Sequence, residues 1–297
     1  MESLAFFILG AWWKAVLTAT FFGLLGLYVL PFTLASGGAI ALWTLRYGLR
    51  SGLVVALVAA GLVLAGAQVL PPRPGFPFPP ALALYPPLLL MAELLRWTAS
   101  QGMALTALAI YLMFYLLWIH WWTGDVVQFW DDWLKEAIRN VEGATLKGFY
   151  VEGTIRLFNG LVAFIYGVST FVSLLLACWW RSLLFHPGEF KAEFLELRLP
   201  PLLLALFVGL MWFCGAALEN RLLMSDLLIV GMGIYLFQGL AVLHGMQQQL
   251  RLRWYFLLPI YFGFWVMPPY VITGLALVGA IDAFVDFRRR FGEREEP

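Results

Sequence analysis

Long apolar runs joined by short polar turns make up most of this chain, and one polar interruption keeps a helical period of its own. In Trp179 to Pro200, WWRSLLFHPGEFKAEFLELRLP, Phe190, Phe194 and Leu197 recur at i, i+4 and i+7, while Glu189, Lys191, Glu193 and Glu196 take the other positions. That spacing predicts a short amphipathic helix lying on a membrane surface, started by Pro187 and Gly188 and stopped by Pro200 and Pro201. The stretch divides the chain into halves.

The N-terminal half reads as five spans within residues 1–122. The first, Leu4 to Leu30, is closed by Pro31; it carries Ala11, Ala15 and Ala19 at every fourth position beside Gly10, a small-residue face that lets helix backbones approach closely. This face packs on another helix of the chain or docks a membrane-protein partner. Lys14 on the same helix reads as a snorkelling side chain or a local ion pair. Phe32 to Trp43, Leu53 to Leu70, Ala81 to Leu95 and Met103 to Trp122 follow. The proline-dense PPRPGFPFPP after the third reads as an extended outside loop, Glu93 and Arg96 as an ion pair at an inner helix end, and Trp118, His120, Trp121 and Trp122 as an aromatic belt.

The insertion 123–153 holds a second surface helix. Val126, Phe129, Trp130, Trp133, Leu134, Ala137 and Ile138 line one side and Asp131, Asp132, Lys135, Glu136 and Arg139 the other. Span six (154–180, with Asn159 near its outer end) leads into the cytoplasmic segment 181–200, and the C-terminal spans occupy 201–290. Span seven is Leu202 to Leu218. Span eight, Leu223 to Gly245, is the most polar, with Asp226, Tyr235, Gln238 and His244 as candidate pocket residues and Gly231, Gly233 and Gly239 thinning its surface. Those residues line a small-molecule pocket, or they serve interhelical hydrogen bonds and tight packing. Trp254 to Phe287 is too long for one crossing and is broken by Pro268 and Pro269, which predicts a helical hairpin. Its last helix should place Asp282 and Asp286 on one face, with Asp286 in reach of Arg289 or Arg290, before the tail 291–297.

These readings give an all-α fold, a polytopic transmembrane bundle of about eight spans plus a Pro-broken C-terminal hairpin and two interfacial amphipathic helices, in one integral membrane domain. Composition agrees: 62% of residues are hydrophobic and 12% charged, and mean hydropathy is +0.83. The net charge of +1 gives no sign of nucleic-acid binding, but its distribution sets an orientation. Arg46, Arg50, Arg96, Arg181, Lys191, Arg198, Arg251, Arg253, Arg288, Arg289, Arg290 and Arg294 fall on one side, against Arg73, Lys135, Arg139, Lys147 and Arg221 on the other, which predicts both termini in the cytoplasm. MESLAFFILGAWWK has no basic leader, so the first helix is expected to remain attached. Cys178 and Cys214 lie in apolar runs near opposite faces and read as buried thiols.

No catalytic constellation is legible. His120, His186 and His244 lack metal-ligand spacing, Asp131 and Asp132 point in divergent directions on a helix, and Asp226 and Asp282 fall near opposite membrane faces. The expectation is a protein without enzymatic activity, metal or cofactor.

SLLFHPGEFKAEFLELRLP, LFQGLAVLHG, LVGAIDAFVDFRRR and TLRYGLRSGL resemble segments of the YybS-like family of bacterial multi-pass membrane proteins, whose founding domain is of unknown function. The resemblance implies a bacterial inner-membrane location. It marks Pro187, Gly188, Phe190, Glu193, Phe194 and Arg198 as a cytoplasmic motif, and Asp282, Asp286, Arg288, Arg289 and Arg290 as a C-terminal one. The family is distantly similar to substrate-binding S-components of energy-coupling-factor transporters and to the rod-shape protein MreD. The Ala11, Ala15, Ala19 face resembles the surface by which S-components dock their transmembrane partner. This chain is longer and carries no recognisable vitamin-binding motif. Two functions follow: an S-component-like subunit for small-solute binding and transport, or a non-catalytic scaffold for envelope assembly that docks through the first helix or the cytoplasmic segment.

Overall fold

The computed structural model describes residues 2–70, 79–139, 145–151, 153–216 and 220–288, and the regular structure among them is entirely helical. In order the helices are α1 (Glu2–Leu9), α2 (Trp12–Leu25), α3 (Phe32–Tyr47), α4 (Leu49–Val69), α5 (Pro80–Thr98), α6 (Gln101–Thr123) and α7 (Val126–Ile138). They continue as α8 (Lys147–Val151), α9 (Phe158–Phe185), α10 (Glu189–Leu195), α11 (Pro201–Ala216), α12 (Arg221–Gln249), α13 (Leu258–Val266) and α14 (Pro268–Val285). Five of them, α4, α6, α9, α12 and α14, are long and apolar enough to cross a membrane; α2, α11 and the stretch Trp254–Val266 are apolar but shorter.

Two helices form the centres of the bundle. Every residue of α3 from Ser36 to Leu45 is buried, because α2, α4, α5 and α9 pack around it. In the second half α12 is surrounded by α6, α9, α11 and α14. The 28-residue α9 touches both centres and joins them into one core.

Where α12 meets α14 the backbones nearly touch. A Cβ on Gly239 would stand 2.0 Å from the carbonyl oxygen of Leu275, and one on Gly279 would stand 2.2 Å from that of Tyr235. Tight glycine packing, one of the two readings open for this helix, is what Gly239 does.

The first expected span differs from Leu4 to Leu30. The chain breaks at Ala11, which is extended (φ −168°, ψ 151°), and α2 ends at Leu25. Tertiary contacts hold the break. The hydroxyl of Tyr47 donates to the freed carbonyl of Leu9 at 3.0 Å, and the Lys14 ammonium sits 5.1 Å from the centre of the Phe7 ring. Ala11 therefore leaves the helical face. Ala15 and Ala19 are 0% exposed on the surface where α2 packs on α3 and α4, and the Ser36 hydroxyl donates to the Ala19 carbonyl at 2.7 Å.

In α5, Pro87 cannot donate to the carbonyl four residues back, that of Ala83. The hydroxyl of Tyr166 on α9 takes its place, donating to that oxygen at 2.5 Å. The third expected span begins four residues earlier, at Leu49, because its first N–H donates to Glu93 Oε2 on α5 at 2.8 Å. Glu93 and Arg96 form the expected ion pair at 2.8 Å, so the pair also closes the end of a neighbouring helix.

The 179–200 stretch is divided differently from its sequence reading. Trp179 to Phe185 continues α9, and only Glu189–Leu195 forms the separate helix after Gly188, whose φ is +95°. The face carrying Phe190, Phe194 and Leu197 packs on the chain's own core instead of lying free for lipid. Pro201 starts α11. The hairpin breaks where Pro268 predicts it, between α13 and α14. The proline segment 71–78, Glu219 of the expected outside turn, Arg289, Arg290 and the tail 291–297 lie outside the described residues.

Candidate functional site

The four polar residues singled out on α12 do not share one pocket. Asp226 sits near the helix start, Gln238 and His244 in its second half, and Tyr235 lies between with its ring 6.4 Å from Phe207. The Tyr235 hydroxyl is buried and has no hydrogen-bond partner among the described residues. His244 donates Nδ1–H to the Leu240 carbonyl at 2.8 Å, which leaves Nε2 to accept from the Tyr261 hydroxyl at 2.9 Å.

At the α10 end, Gln238 and the C-terminal motif close round the cytoplasmic motif. Gln238 accepts from the Leu199 N–H at 3.0 Å and donates to Asp282 Oδ2 at 2.9 Å. Arg288 reaches the same carboxylate oxygen at 2.9 Å and donates to the carbonyls of Leu195 and Leu197. Burial pulls this guanidinium below the ordinary arginine range, and Asp282 opposes the pull. Asp282 and Asp286 do not share a helix face, because α14 ends at Val285 and Asp286 has φ +49°. Asp286 pairs with Arg198 at 2.5 Å, whereas its expected partners Arg289 and Arg290 lie outside the described residues. Glu193 is held by Arg181 and by Gln101 Nε2, the latter at 3.1 Å. Pro187 and Gly188 are exposed in the turn before α10. The hydrogen bonds and ion pairs of Gln238, Asp282, Arg288, Arg181 and Gln101 fix residues 193–199, although Nε of Arg288, Nε of Arg181 and Oε1 of Gln101 are buried with no hydrogen-bond partner among the described residues.

The opposite end, where α7 lies, holds a buried cluster that mixes charge with an unmet hydrogen-bonding group. α6 brings His120, α9 brings Asn159 and α12 brings Asp226. His120 Nε2 lies 2.8 Å from Asp226 Oδ2, and Asn159 Nδ2 donates to that oxygen at 2.6 Å. Trp130 on α7 donates its indole N–H to Asn159 Oδ1 at 3.0 Å. An indole N–H only donates, so this bond fixes the carboxamide with its nitrogen towards Asp226. Asp226 is 1% exposed, and its Oδ1 has no hydrogen-bond partner among the described residues. Gly160 makes the room: a Cβ there would stand 2.8 Å from that oxygen.

α7 covers this end as an amphipathic helix with the two faces read from its sequence. Val126 and Leu134 are buried, while Asp132, Lys135, Glu136 and Arg139 are exposed. Asp125 starts the helix by accepting from the N–H groups of Val127 and Gln128, both at 3.0 Å. Asp131 is bonded by Lys135 and by the Tyr150 hydroxyl, which hold its carboxyl below the usual range. Two open surface concavities flank α7. One of about 350 Å³ is lined by Trp122, Thr123, Asp125, Gln128, Phe129 and Asp132; the other, of about 630 Å³, is lined among others by Asp131, Tyr150 and Arg156.

Cys178 and Cys214 are both buried free thiols. Among the described residues no group of three or more His, Cys, Asp or Glu side chains is arranged to hold a metal ion. From the sequence Asp226 reads as a pocket residue, His120 as part of an aromatic belt, and Asn159 only as lying near the outer end of its span. Comparison with protein-family models, with curated proteins and with solved structures finds no match.

Proposed function

We propose that this chain is a multi-pass protein of a bacterial inner membrane that binds a small polar solute as a subunit of a transport system. Its site lies at the outer end, around His120, Asn159 and Asp226 beneath α7, instead of midway along α12. The observation that carries the reading is the buried, half-partnered carboxylate of Asp226. Asp226 is buried in the second turn of a membrane-length helix, and ionisable groups buried within such helices are costly and characteristically line solute or ion pathways. Elsewhere on the helix Gln238 and His244 are committed to bonds within the chain, and the buried Tyr235 hydroxyl, unpartnered among the described residues, is a single neutral group beside the Phe207 ring. The test is thermal unfolding of the full chain in mild detergent against a panel of small polar solutes, using wild type, Asp226→Asn and the control Tyr235→Phe. A solute that raises the midpoint of wild type and Tyr235→Phe but not of Asp226→Asn supports the reading. Protection that survives in Asp226→Asn, or no protection by any solute, sinks it.

A second reading, a membrane scaffold of the MreD-like kind, draws on a different observation. Gln238 and Arg288 clamp residues 195–199 to the bundle, which leaves Lys191, Glu196 and Arg198 exposed on a fixed surface. With Ala15 and Ala19 covered internally, that surface is the better place for a membrane-protein partner. Co-purification from native membranes separates the readings: an envelope protein retained by wild type and Asp226→Asn but lost from Lys191→Ala/Glu196→Ala favours the scaffold.

A further inference from the structure

We infer that His120 and Asp226 form a proton-binding site that exchanges one proton with the water on the α7 side. The inference deepens the transport reading by naming the ion that the site carries.

The charges around the pair define its ligand. Asp226 is 1% exposed and its one ion-pair partner among the described residues is His120, whose side chain is 8% exposed. α6 also brings the neutral phenol of Tyr115 within electrostatic reach of Asp226. α9 contributes the carboxamide of Asn159, and α7 the indole of Trp130. α11 contains no Asp, Glu, Lys, Arg or His, and the one carboxylate of α14, Asp282, is engaged with Gln238 and Arg288 at the other end of the bundle. No lysine or arginine side chain is paired with Asp226 among the described residues.

With one proton shared between the imidazole and the carboxylate, the pair carries a charge of −1 in a site nearly without water. A second proton, taken from solvent on the ring nitrogen turned away from Asp226, makes an imidazolium–carboxylate pair of zero net charge, and its release restores −1. Low dielectric makes that difference large. Asp226 Oδ2 already accepts from Asn159, so Asn159 and behind it Trp130 hold the carboxylate still through both states. His120 is the more exposed member and stands three residues before the end of α6, which makes it the side on which the proton enters. A metal cation would require several oxygen ligands; the pair offers one free carboxylate oxygen and a ring nitrogen.

Proton uptake by the full chain in lipid nanodiscs, measured with a pH-indicator dye on stepping from pH 8 to pH 5 without added solute, tests the site. The expected result is about one proton per chain fewer in His120→Gln and in Asp226→Asn than in wild type. Tyr235→Phe should match wild type. Thermal unfolding midpoints identify any variant that fails to fold, and histidine ring NMR of the wild-type chain then gives a readout that needs no variant. There the His120 ring should report the same proton-uptake step that the dye records. Equal uptake in wild type and both folded variants, or a His120 ring unchanged from pH 8 to pH 5, overturns the inference. Because solute is absent, a failure here leaves the solute-protection test standing, and a failure there leaves this one standing.

Discussion

Tyr166 on α9 donates its hydroxyl to the carbonyl of Ala83 on α5, the oxygen that Pro87 leaves without its normal helical donor. The bond joins a defect in one helix to a side chain 83 residues away. Tyr166→Phe keeps the ring and removes the donor, so a part-buried carbonyl loses its partner. The expected loss is about 1–3 kcal/mol in the free energy of unfolding, measured by chemical denaturation in detergent. Pro87→Ala restores the backbone donor. In that background the same Tyr166→Phe change should cost much less, and equal costs in the two backgrounds would show that the hydroxyl does not replace the missing N–H.

The small-residue face of α2 can be tested in the same way. Ala15 and Ala19 are fully buried against this chain's own helices, whereas Ala11 lies in the extended break and is partly exposed. Ala15→Leu should therefore destabilise the isolated protein by about 1–3 kcal/mol through overpacking, and Ala11→Leu by much less. Thermal unfolding of the purified variants decides it. Equal tolerance at both positions would return the face to an external partner.

The extent of the helices was legible because it rests on local pattern. Apolar runs gave α4, α6, α9 and α12 to within a few residues at most ends, the alternation of faces gave α7, and Pro268 marked the break before α14. What periodicity cannot carry is which helices become neighbours. The break at Ala11 depends on the hydroxyl of Tyr47, and the early start of α4 depends on Glu93, each from another helix. His120 and Asp226 are 106 positions apart, and Asn159 and Asp226 are 67 apart. A signal for this cluster did exist. All three residues fall at the same expected membrane face, at the ends of three apolar runs, and polar groups at matching depth on different helices are candidates to meet. Gln238 misled because a polar residue on a glycine-rich helix reads equally as pocket lining or as interhelical bond, and only the position of Leu199 and Asp282 separates the two.

Glu93 makes its own prediction, because it has two jobs that substitution can separate. It accepts from the first N–H of α4 and pairs with Arg96, whose side chain is one-third exposed. The cap should matter more than the ion pair, since partly exposed pairs contribute little while an uncapped helix start costs about 0.5–2 kcal/mol. Glu93→Ala should thus destabilise by about that amount. Glu93→Gln, which keeps an acceptor, and Arg96→Ala should each do so by clearly less. Urea unfolding midpoints of the three variants give the order, and Arg96→Ala matching Glu93→Ala would reverse the assignment.

The buried pair at the other end predicts non-additive energetics. Asp282 and Arg288 are 1% and 6% exposed at the side chain, and removing either leaves its partner in low dielectric. Breaking such a pair costs about 3–5 kcal/mol, whereas removing both charges together avoids the stranded one. The double variant Asp282→Asn/Arg288→Met should therefore lose less stability than the two single losses added. Arg288→Met should be the worse single change, because it also abandons the carbonyls of Leu195 and Leu197. Lysine should not rescue it: one ammonium cannot span the carboxylate and two carbonyls that the guanidinium fork reaches. Amide hydrogen exchange supplies the spatial check, with faster exchange in residues 193–199 of Arg288→Met and unchanged exchange in α7, at the far end of the bundle. Additive losses, or loosening that starts at α7, would show that residues 195–199 are held by something other than this clamp.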